Sequence, residues 1–111
     1  MSPPELDVAT IRRFCEQKTS PGATDLRIEA DVHRLGVDIF ECRPPWRAGE
    51  DATWIRTSVA RLRWNATAGR WSLQWRRADE RLHDYDGLPP CIELDRLLEE
   101  LDCDPDGVFW G

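Results

Sequence analysis

The chain has 111 residues, 41% of them hydrophobic, which is enough apolar material to build the core of one domain. Its formal net charge is −6, so it lacks the long-range attraction that drives most nucleic-acid binding. No apolar run approaches the roughly 18 residues of a membrane-spanning helix, and the N-terminus has no signal-peptide pattern. We therefore expect a cytoplasmic protein, without a membrane association, whose four cysteines are free thiols.

An amphipathic helix is predicted at the N-terminus. Ser2 and Glu5 have the spacing of a capping box, and Pro3 suits the first helical position. Apolar residues then recur at helical spacing as far as Lys18. The segment 19–22, with the sequence TSPG, predicts the end of the helix.

Two strands are predicted next. Between residues 26 and 33 apolar and polar side chains alternate, which is typical of a half-buried strand. Gly36 marks a tight turn, and a second strand begins at Val37. It ends before Pro44 and Pro45, because consecutive prolines cannot donate hydrogen bonds to a ladder.

A third strand from about Trp54 to Trp64 and a fourth from about Arg70 to Ala78 are predicted to form a hairpin. If Trp64 lies opposite Trp71, the large apolar side chains of both strands share one face. These side chains are Leu62, Trp64, Trp71, Leu73 and Trp75. The opposite face then carries Arg61, Arg63, Ser72, Gln74 and Arg76.

A second amphipathic helix is predicted from leucines at helical spacing, namely Leu94, Leu97, Leu98 and Leu101. The predicted fold is therefore a single α+β domain over residues 1–111, with the element order α-β-β-β-β-α. We expect a four-stranded antiparallel meander sheet with both helices packed on one face, because that arrangement buries both apolar stripes.

Charge is unevenly distributed along the chain. Residues 56–81 carry seven arginines and two acids, whereas residues 82–111 carry nine acids and one arginine. We expect the acidic C-terminal segment to lie near the basic hairpin and to neutralise it within the fold. An anionic partner at the hairpin is the alternative.

Charged residues appear on two strands where the apolar phase ends. On the second strand, Val37 and Ile39 are followed in the same phase by Glu41 and then Arg43, and on the fourth strand the apolar phase runs into Arg77. Charges in a core phase are costly unless they are paired. An ion-pair cluster of Glu41 with Arg43 or Arg77 is therefore predicted at one end of the sheet.

We interpret this end of the sheet as a candidate binding cluster for a protein or peptide partner. Its members are Glu41, Arg43, Trp46, Arg77, Asp79, His83 and Tyr85. A structural ion-pair network that closes the sheet is the alternative interpretation. Another alternative is an enzyme using Glu41, Asp79 and His83, which requires these groups to converge in one pocket with perturbed pKa values.

The arginine face of the hairpin is a candidate nucleic-acid surface through Arg61, Arg63, Gln74 and Arg76. Single strands are held by aromatic stacking together with positive charge. The predicted register places the tryptophans on the opposite face, so this hypothesis is the weaker one. An edge strand of the sheet, the first or the fourth, could instead pair with a second copy in a homodimer.

No cofactor and no metal site is expected. The two histidines and four cysteines lack zinc-ligand spacing. Residues 102–107, with the sequence DCDPDG, match the opening of a calcium loop, which also needs a glutamate at its twelfth position. An acidic turn is therefore the expected structure, and weak calcium binding is left open.

Several segments of the chain resemble DUF3024, a small bacterial family described only as a domain of unknown function. These segments are residues 39–46, 71–79, 83–85 and 102–111. The resemblance implies no activity, and it marks as motif positions Glu41, Arg43, Trp46, Trp71, Trp75, Arg77, Asp79, His83 and Tyr85. One departure is Leu82, where the family pattern has tryptophan.

Overall fold

The computed structural model describes residues 2–23, 25–45, 53–91 and 93–110. Within them, the chain forms two α-helices, one short 3₁₀ turn at Pro21–Ala23 and five β-strands. In chain order these are α1 (Glu5–Lys18), β1 (Arg27–His33), β2 (Gly36–Arg43), β3 (Ile55–Asn65), β4 (Arg70–Arg76), β5 (Leu82–Asp84) and α2 (Leu94–Cys103).

The strands form one antiparallel sheet in the order β1-β2-β3-β4-β5, and each strand pairs with its neighbour in the chain. The predicted α+β meander is thus confirmed. The sheet has one strand more than the four predicted, because β5 is only three residues long and such a segment has no recognisable alternation.

The predicted pairing of the central hairpin is confirmed residue by residue. Trp64 lies opposite Trp71, Leu62 opposite Leu73 and Ala60 opposite Trp75. We call the face that carries these side chains the inner face, because both helices cover it, and the opposite one the outer face.

The core lies between the inner face and the two helices. Ile11 and Cys15 from α1 and four leucines from α2 pack in one cluster with the inner face of the sheet. Trp71 is completely buried there, and its indole N–H donates to Asp7 of α1 at 2.8 Å. One hydrogen bond therefore ties α1 to the turn end of the β3–β4 hairpin while it satisfies a buried donor.

Helix α1 ends at Lys18 as predicted, but the predicted capping box is wrong. The first helical residue is Glu5, and the N-cap is Pro4, which has an extended conformation and no side-chain cap hydrogen bond. The physical reason is that a proline disfavours the helical conformation in the residue before it. Pro3 therefore cannot open the helix in front of Pro4.

The two edges of the sheet differ. Beyond β5, the backbone of Cys91 exchanges two hydrogen bonds of 2.8 Å with Trp71, which closes the free edge of β4. On β1, the side chain of Thr19 accepts from the Ile28 N–H at 3.0 Å. None of the helices in the described ranges is long and apolar enough to cross a membrane.

Candidate functional site

A cleft of about 530 Å³ lies where the C-terminal ends of both helices meet the ends of β1 and β2. Its polar and aromatic lining consists of Phe14, Gln17, Lys18, Glu41, Arg43, Asp102 and Trp110. Leu26 and Ile28 contribute the apolar part of the lining. Two residues of the predicted binding cluster, Glu41 and Arg43, therefore reach one open cavity.

The position of Glu41 follows from the phase of β2. Val37 and Ile39 are fully buried on the inner face, and Glu41 continues the same phase opposite Ile28. Arg43 Nε donates to Glu41 Oε1 at 2.6 Å, which confirms the predicted ion pair between these two residues. The side chain of Glu41 is 21% exposed and that of Arg43 is 61% exposed, so the guanidinium faces the solvent side of the pair.

A second ion pair lies on the helical side of the cleft. Lys18 Nζ is 2.6 Å from Asp102 Oδ1, and this contact joins the end of α1 to the end of α2. The same ammonium group lies 5.1 Å from the centre of the Trp110 ring and 5.7 Å from that of Phe14. Both distances fall within the range of cation–π attraction. Sequence reasoning missed this half of the cleft.

The aromatic wall of the cleft is held by the turn after α2. Asp104 has a left-handed conformation, with φ of 44°, and its carboxylate accepts the N–H groups of Val108, Phe109 and Trp110 at 2.8–3.1 Å. The indole N–H of Trp110 donates to the Leu101 carbonyl at 2.7 Å. The predicted acidic turn is thus a backbone-capping structure that fixes the position of Trp110.

The remaining charged members of the predicted cluster lie apart from the cleft. His83 Nε2 is 2.8 Å from Asp79 Oδ2, and the guanidinium of Arg77 lies 5.4 Å from the centre of the Trp75 ring. Arg77 lines a separate cavity of about 360 Å³ together with Val108 and Phe109. The predicted pairing of Glu41 with Arg77 is therefore absent from the described residues, because β3 and the C-terminal tail lie between them.

The three residues of the catalytic alternative, Glu41, Asp79 and His83, do not lie in one site. Glu41 lines the cleft, whereas Asp79 and His83 form their own exposed pair in the turn between β4 and β5 and on β5. A hydrogen bond from the Arg81 backbone, followed by the contact with His83, lowers the pKa of Asp79. The lowered pKa means that these contacts favour the ionised form of the carboxylate.

Tyr85 packs in the core and also lines a second cavity, of about 670 Å³, that is separate from the cleft. It is 7% exposed, its ring centre lies 5.1 Å from that of Phe109, and its hydroxyl donates to Glu100 at 2.9 Å. Burial, together with the hydrogen bond to Glu100, raises the pKa of Tyr85 to about 12. The last member of the predicted cluster, Trp46, lies outside the described residues.

The candidate nucleic-acid surface lies on the outer face, where three of its four members have partners within the protein. Arg61 makes a two-pronged contact with Asp38, at 2.6 and 3.1 Å. Arg76 pairs with Glu80 at 3.2 Å, and Gln74 donates to Asp84 at 3.0 Å. Arg63 is exposed.

Two of the seven hairpin arginines, Arg56 and Arg61, pair with acids of the first half of the chain, whereas the expectation was that the acidic C-terminal segment neutralises the hairpin. Arg61 pairs with Asp38 of β2, and Arg56 pairs with Asp31 of β1 at 2.8 Å and lies 3.5 Å from Glu29. These partners are neighbours because β1, β2 and β3 are adjacent in the sheet. The order of strands in the sheet can place acids from another segment closer to these arginines than the acidic C-terminal segment.

Two aromatic rings on the outer face were not predicted as partners of arginine. The guanidinium of Arg56 lies 3.7 Å from the ring centre of Phe40, and that of Arg27 lies 3.9 Å from the ring centre of Trp54. The signal for the first contact is in the sequence, because Phe40 occupies the polar phase of β2. One face of each ring is covered by an arginine, which leaves less aromatic surface for stacking on a base.

Asp38 is a partly buried carboxylate with two neighbours. Arg61 supplies the two hydrogen bonds, and His33 Nε2 lies 3.2 Å from Asp38 Oδ1 at an angle that does not form a hydrogen bond. Burial alone would raise the pKa of Asp38, but the hydrogen bonds and charge of Arg61, with the contact to His33, outweigh burial and lower it.

Among the described residues, no group of three or more His, Cys, Asp or Glu side chains is arranged to hold a metal ion. In the turn that resembles a calcium loop, Asp104 binds backbone N–H groups and Asp102 binds Lys18. Two of the carboxylates that such a loop would need are thus already used within the protein.

The fold and the cleft define a small α+β domain whose helices cover one face of an antiparallel meander. A family model described as "Domain of unknown function (DUF3024)" matches residues 2–111, and the chain belongs to this family. Comparison with curated proteins and with solved structures gives no match.

Proposed function

We propose that this protein is a non-catalytic binding module that holds a segment of another protein in the cleft. The observation that carries the proposal is the position of Glu41 and Arg43, which continue the core phase of β2 into an open cavity. Two apolar residues at these positions would extend the core. Glu41, whose side chain is only 21% exposed, loses part of its hydration there, and a binding role accounts for this cost in free energy.

The size and lining of the cleft suit a peptide segment. Its volume of about 530 Å³ falls within the range of ligand-binding pockets. The lining combines aromatic and aliphatic surface with two ion pairs, and such a mixture can bind both a side chain and the polar groups of a peptide. The proposed ligand is therefore a short stretch of protein rather than a purely apolar molecule.

The walls of the cleft are held in place before a ligand arrives. Lys18 joins the two helices through Asp102, and Asp104 together with the Leu101 carbonyl fixes Trp110. Fewer side chains then have to be immobilised on binding, so less of the gross interaction free energy is lost. This rigidity supports recognition of a defined sequence.

Nucleic acid is the weaker partner for this domain. The net charge is −6, and Arg61 and Arg76 on the outer face already pair with Asp38 and Glu80. A phosphate group would have to compete with these carboxylates. A single-stranded oligonucleotide therefore serves as a negative control for the peptide experiments.

A homodimer through the sheet edge is a second arrangement, and β1 is the edge strand that supports it. Because Thr19 binds Ile28, the outward backbone groups that remain for pairing on this strand are those of Ala30 and Val32. A contact of two residues per chain is short. Light scattering tests this arrangement, and a dimeric mass would support it.

The expected compartment is the cytoplasm, and the state of the cysteines supports it. Cys15, Cys42, Cys91 and Cys103 are free thiols. Burial raises the pKa of Cys15 to about 12, so that thiol is unreactive at neutral pH.

A library of short random peptides displayed on phage tests the proposed function. Peptides that are enriched on the protein are synthesised, and their affinities are measured by isothermal titration calorimetry for wild type and for Arg43→Gln. We expect saturable binding that Arg43→Gln weakens at least about fivefold, because a hydrogen-bonding cation is lost from the cleft.

The matched control is Arg34→Gln, which removes an exposed arginine from the turn at the other end of the β1–β2 hairpin. It should leave the affinity unchanged. Failure to enrich any binding peptide would contradict the proposal, and so would equal effects of the two substitutions.

A further inference from the structure

We propose that the ligand of the cleft carries an acidic residue, an apolar residue and a basic residue in that spatial order, from the sheet side to the helical side. This inference rests on the proposed function and specifies the chemistry of the bound segment. It follows from which member of each ion pair in the cleft is exposed.

On the sheet side, the exposed member is the cation. The side chain of Arg43 is 61% exposed, whereas that of its partner Glu41 is 21% exposed. Glu41 binds the Nε atom, which leaves the two terminal nitrogens of the guanidinium for a ligand. This planar fork matches the two oxygens of a carboxylate.

On the helical side, the exposed member is the anion. The side chain of Asp102 is 59% exposed, whereas that of Lys18 is 27% exposed and lies near the rings of Phe14 and Trp110. Lys18 binds Asp102 Oδ1, which leaves Oδ2 for a ligand. A ligand that enters from solvent therefore meets a carboxylate here, and it meets a guanidinium on the opposite wall.

The lining between the two exposed charges contains apolar groups. Leu26 and Ile28 belong to it, and Trp110 contributes an indole ring whose N–H is already bound to Leu101. An apolar side chain buried here gains hydrophobic free energy without leaving that donor unsatisfied. The cleft thus has a positive group at one end, a negative group at the other and apolar side chains between them. A peptide with this charge pattern can match it in only one orientation.

The test is a double-mutant cycle between the protein and a peptide obtained from the phage selection. The peptide is made in three forms, namely the original, one with its acidic residue replaced by the amide, and one with its basic residue neutralised. Affinities are measured by calorimetry for wild type, Arg43→Gln and Asp102→Asn. Circular dichroism confirms that each variant is folded.

We expect a coupling free energy between Arg43 and the peptide acid and another between Asp102 and the peptide base. We expect none between Arg43 and the base or between Asp102 and the acid. Amidation of the peptide acid should weaken binding to wild type about two- to fivefold, the range of a partly exposed ion pair, and should have no further effect on Arg43→Gln. Neutralisation of the peptide base should behave in the same way with Asp102→Asn. Asp106→Asn, an exposed acid of the neighbouring turn, should show no coupling.

Selected peptides that bind in the cleft without this charge pattern would overturn the inference while the binding function stands. The inference would also be overturned if the affinity losses from the protein and peptide changes simply multiply, because the two groups would then have no coupling. Absence of any binding peptide would instead remove the proposed function, so the two failures are distinguishable.

Discussion

Asp104 illustrates how one side chain can position a whole wall of the cleft. Its left-handed conformation ends α2, and its two carboxylate oxygens accept three consecutive backbone N–H groups. Aspartate tolerates this conformation better than most residues other than glycine. The pattern DCDPDG indicated a turn, but the sequence had no signal that the turn would orient Trp110 towards Lys18.

The ion pair between Asp38 and Arg61 makes stability depend on pH. The pKa of Asp38 is lowered from 3.8 in the folded state, so ionised Asp38 stabilises the fold. This stabilisation is complete above the unfolded-state pKa and is lost as the pH falls through the lower, folded-state pKa. Asp38→Asn should cost about 1 kcal/mol at neutral pH, discounted for partial exposure of the pair.

The same substitution should also flatten the acid limb of the stability curve. Urea unfolding between about pH 5 and pH 2.5 measures this, and the decrease in free energy of unfolding should be smaller for Asp38→Asn than for wild type. Asp86→Asn, at an exposed turn, is the control and should leave the limb unchanged. Equal slopes for wild type and Asp38→Asn would argue against the lowered pKa.

Among the elements, the β2–β3 pairing depends on Gly36. Its φ is +151°, and a Cβ atom at this position would lie only 2.0 Å from the Leu62 carbonyl oxygen of β3. Because that atom belongs to the backbone of a paired strand, it cannot move aside without breaking the ladder. Gly36 thus permits β2 to approach β3 closely.

Gly36→Ala should therefore destabilise the protein by at least about 3 kcal/mol, measured by urea unfolding. Gly69→Ala is the matched control, because Gly69 also has a positive φ, +63°, but no atom lies within 4 Å of an added Cβ. The control should cost about 1–2 kcal/mol from the left-handed conformation alone. Similar losses for both variants would show that close approach to Leu62 is unimportant.

Elements with a regular pattern were predictable from the sequence, whereas irregular ones were not. The β3–β4 register followed from matching two alternating strands, and α2 followed from its four leucines. The register shift between Ile39 and Phe40, where Val59 is the extra residue on β3, left no signal in the alternation. The short strand β5 was missed for the same reason.

At the scale of the whole molecule, half of the candidate cleft was predictable. The phase of β2 indicated Glu41 and Arg43, because local alternation decides which face a strand residue occupies. Lys18, Asp102 and Trp110 come from three separate segments, and only the packing of both helix ends against the sheet brings them together. Tyr85 was assigned to the surface cluster because its burial depends on the C-terminal tail.

The fold also determines which charged residues become neighbours. Arg56 and Arg61 of the hairpin pair with acids of β1 and β2 rather than with the acidic C-terminal segment. Asp102, on the last turn of α2, brings part of this negative charge to the rim of the cleft. This position is the basis for expecting a basic residue on the helical side of the ligand.

The central claim is that the cleft binds a protein segment, and Lys18 offers a direct test because it is the only lysine in the chain. Reductive methylation with ¹³C-formaldehyde labels Lys18 and the α-amino group while it retains their charge. The two NMR signals are distinguished by the lower pKa of the α-amino group. Titration with a selected peptide should shift the Lys18 signal saturably, with the affinity that calorimetry gives. Binding in the calorimeter without a shift of the Lys18 signal would place the site elsewhere and contradict the account.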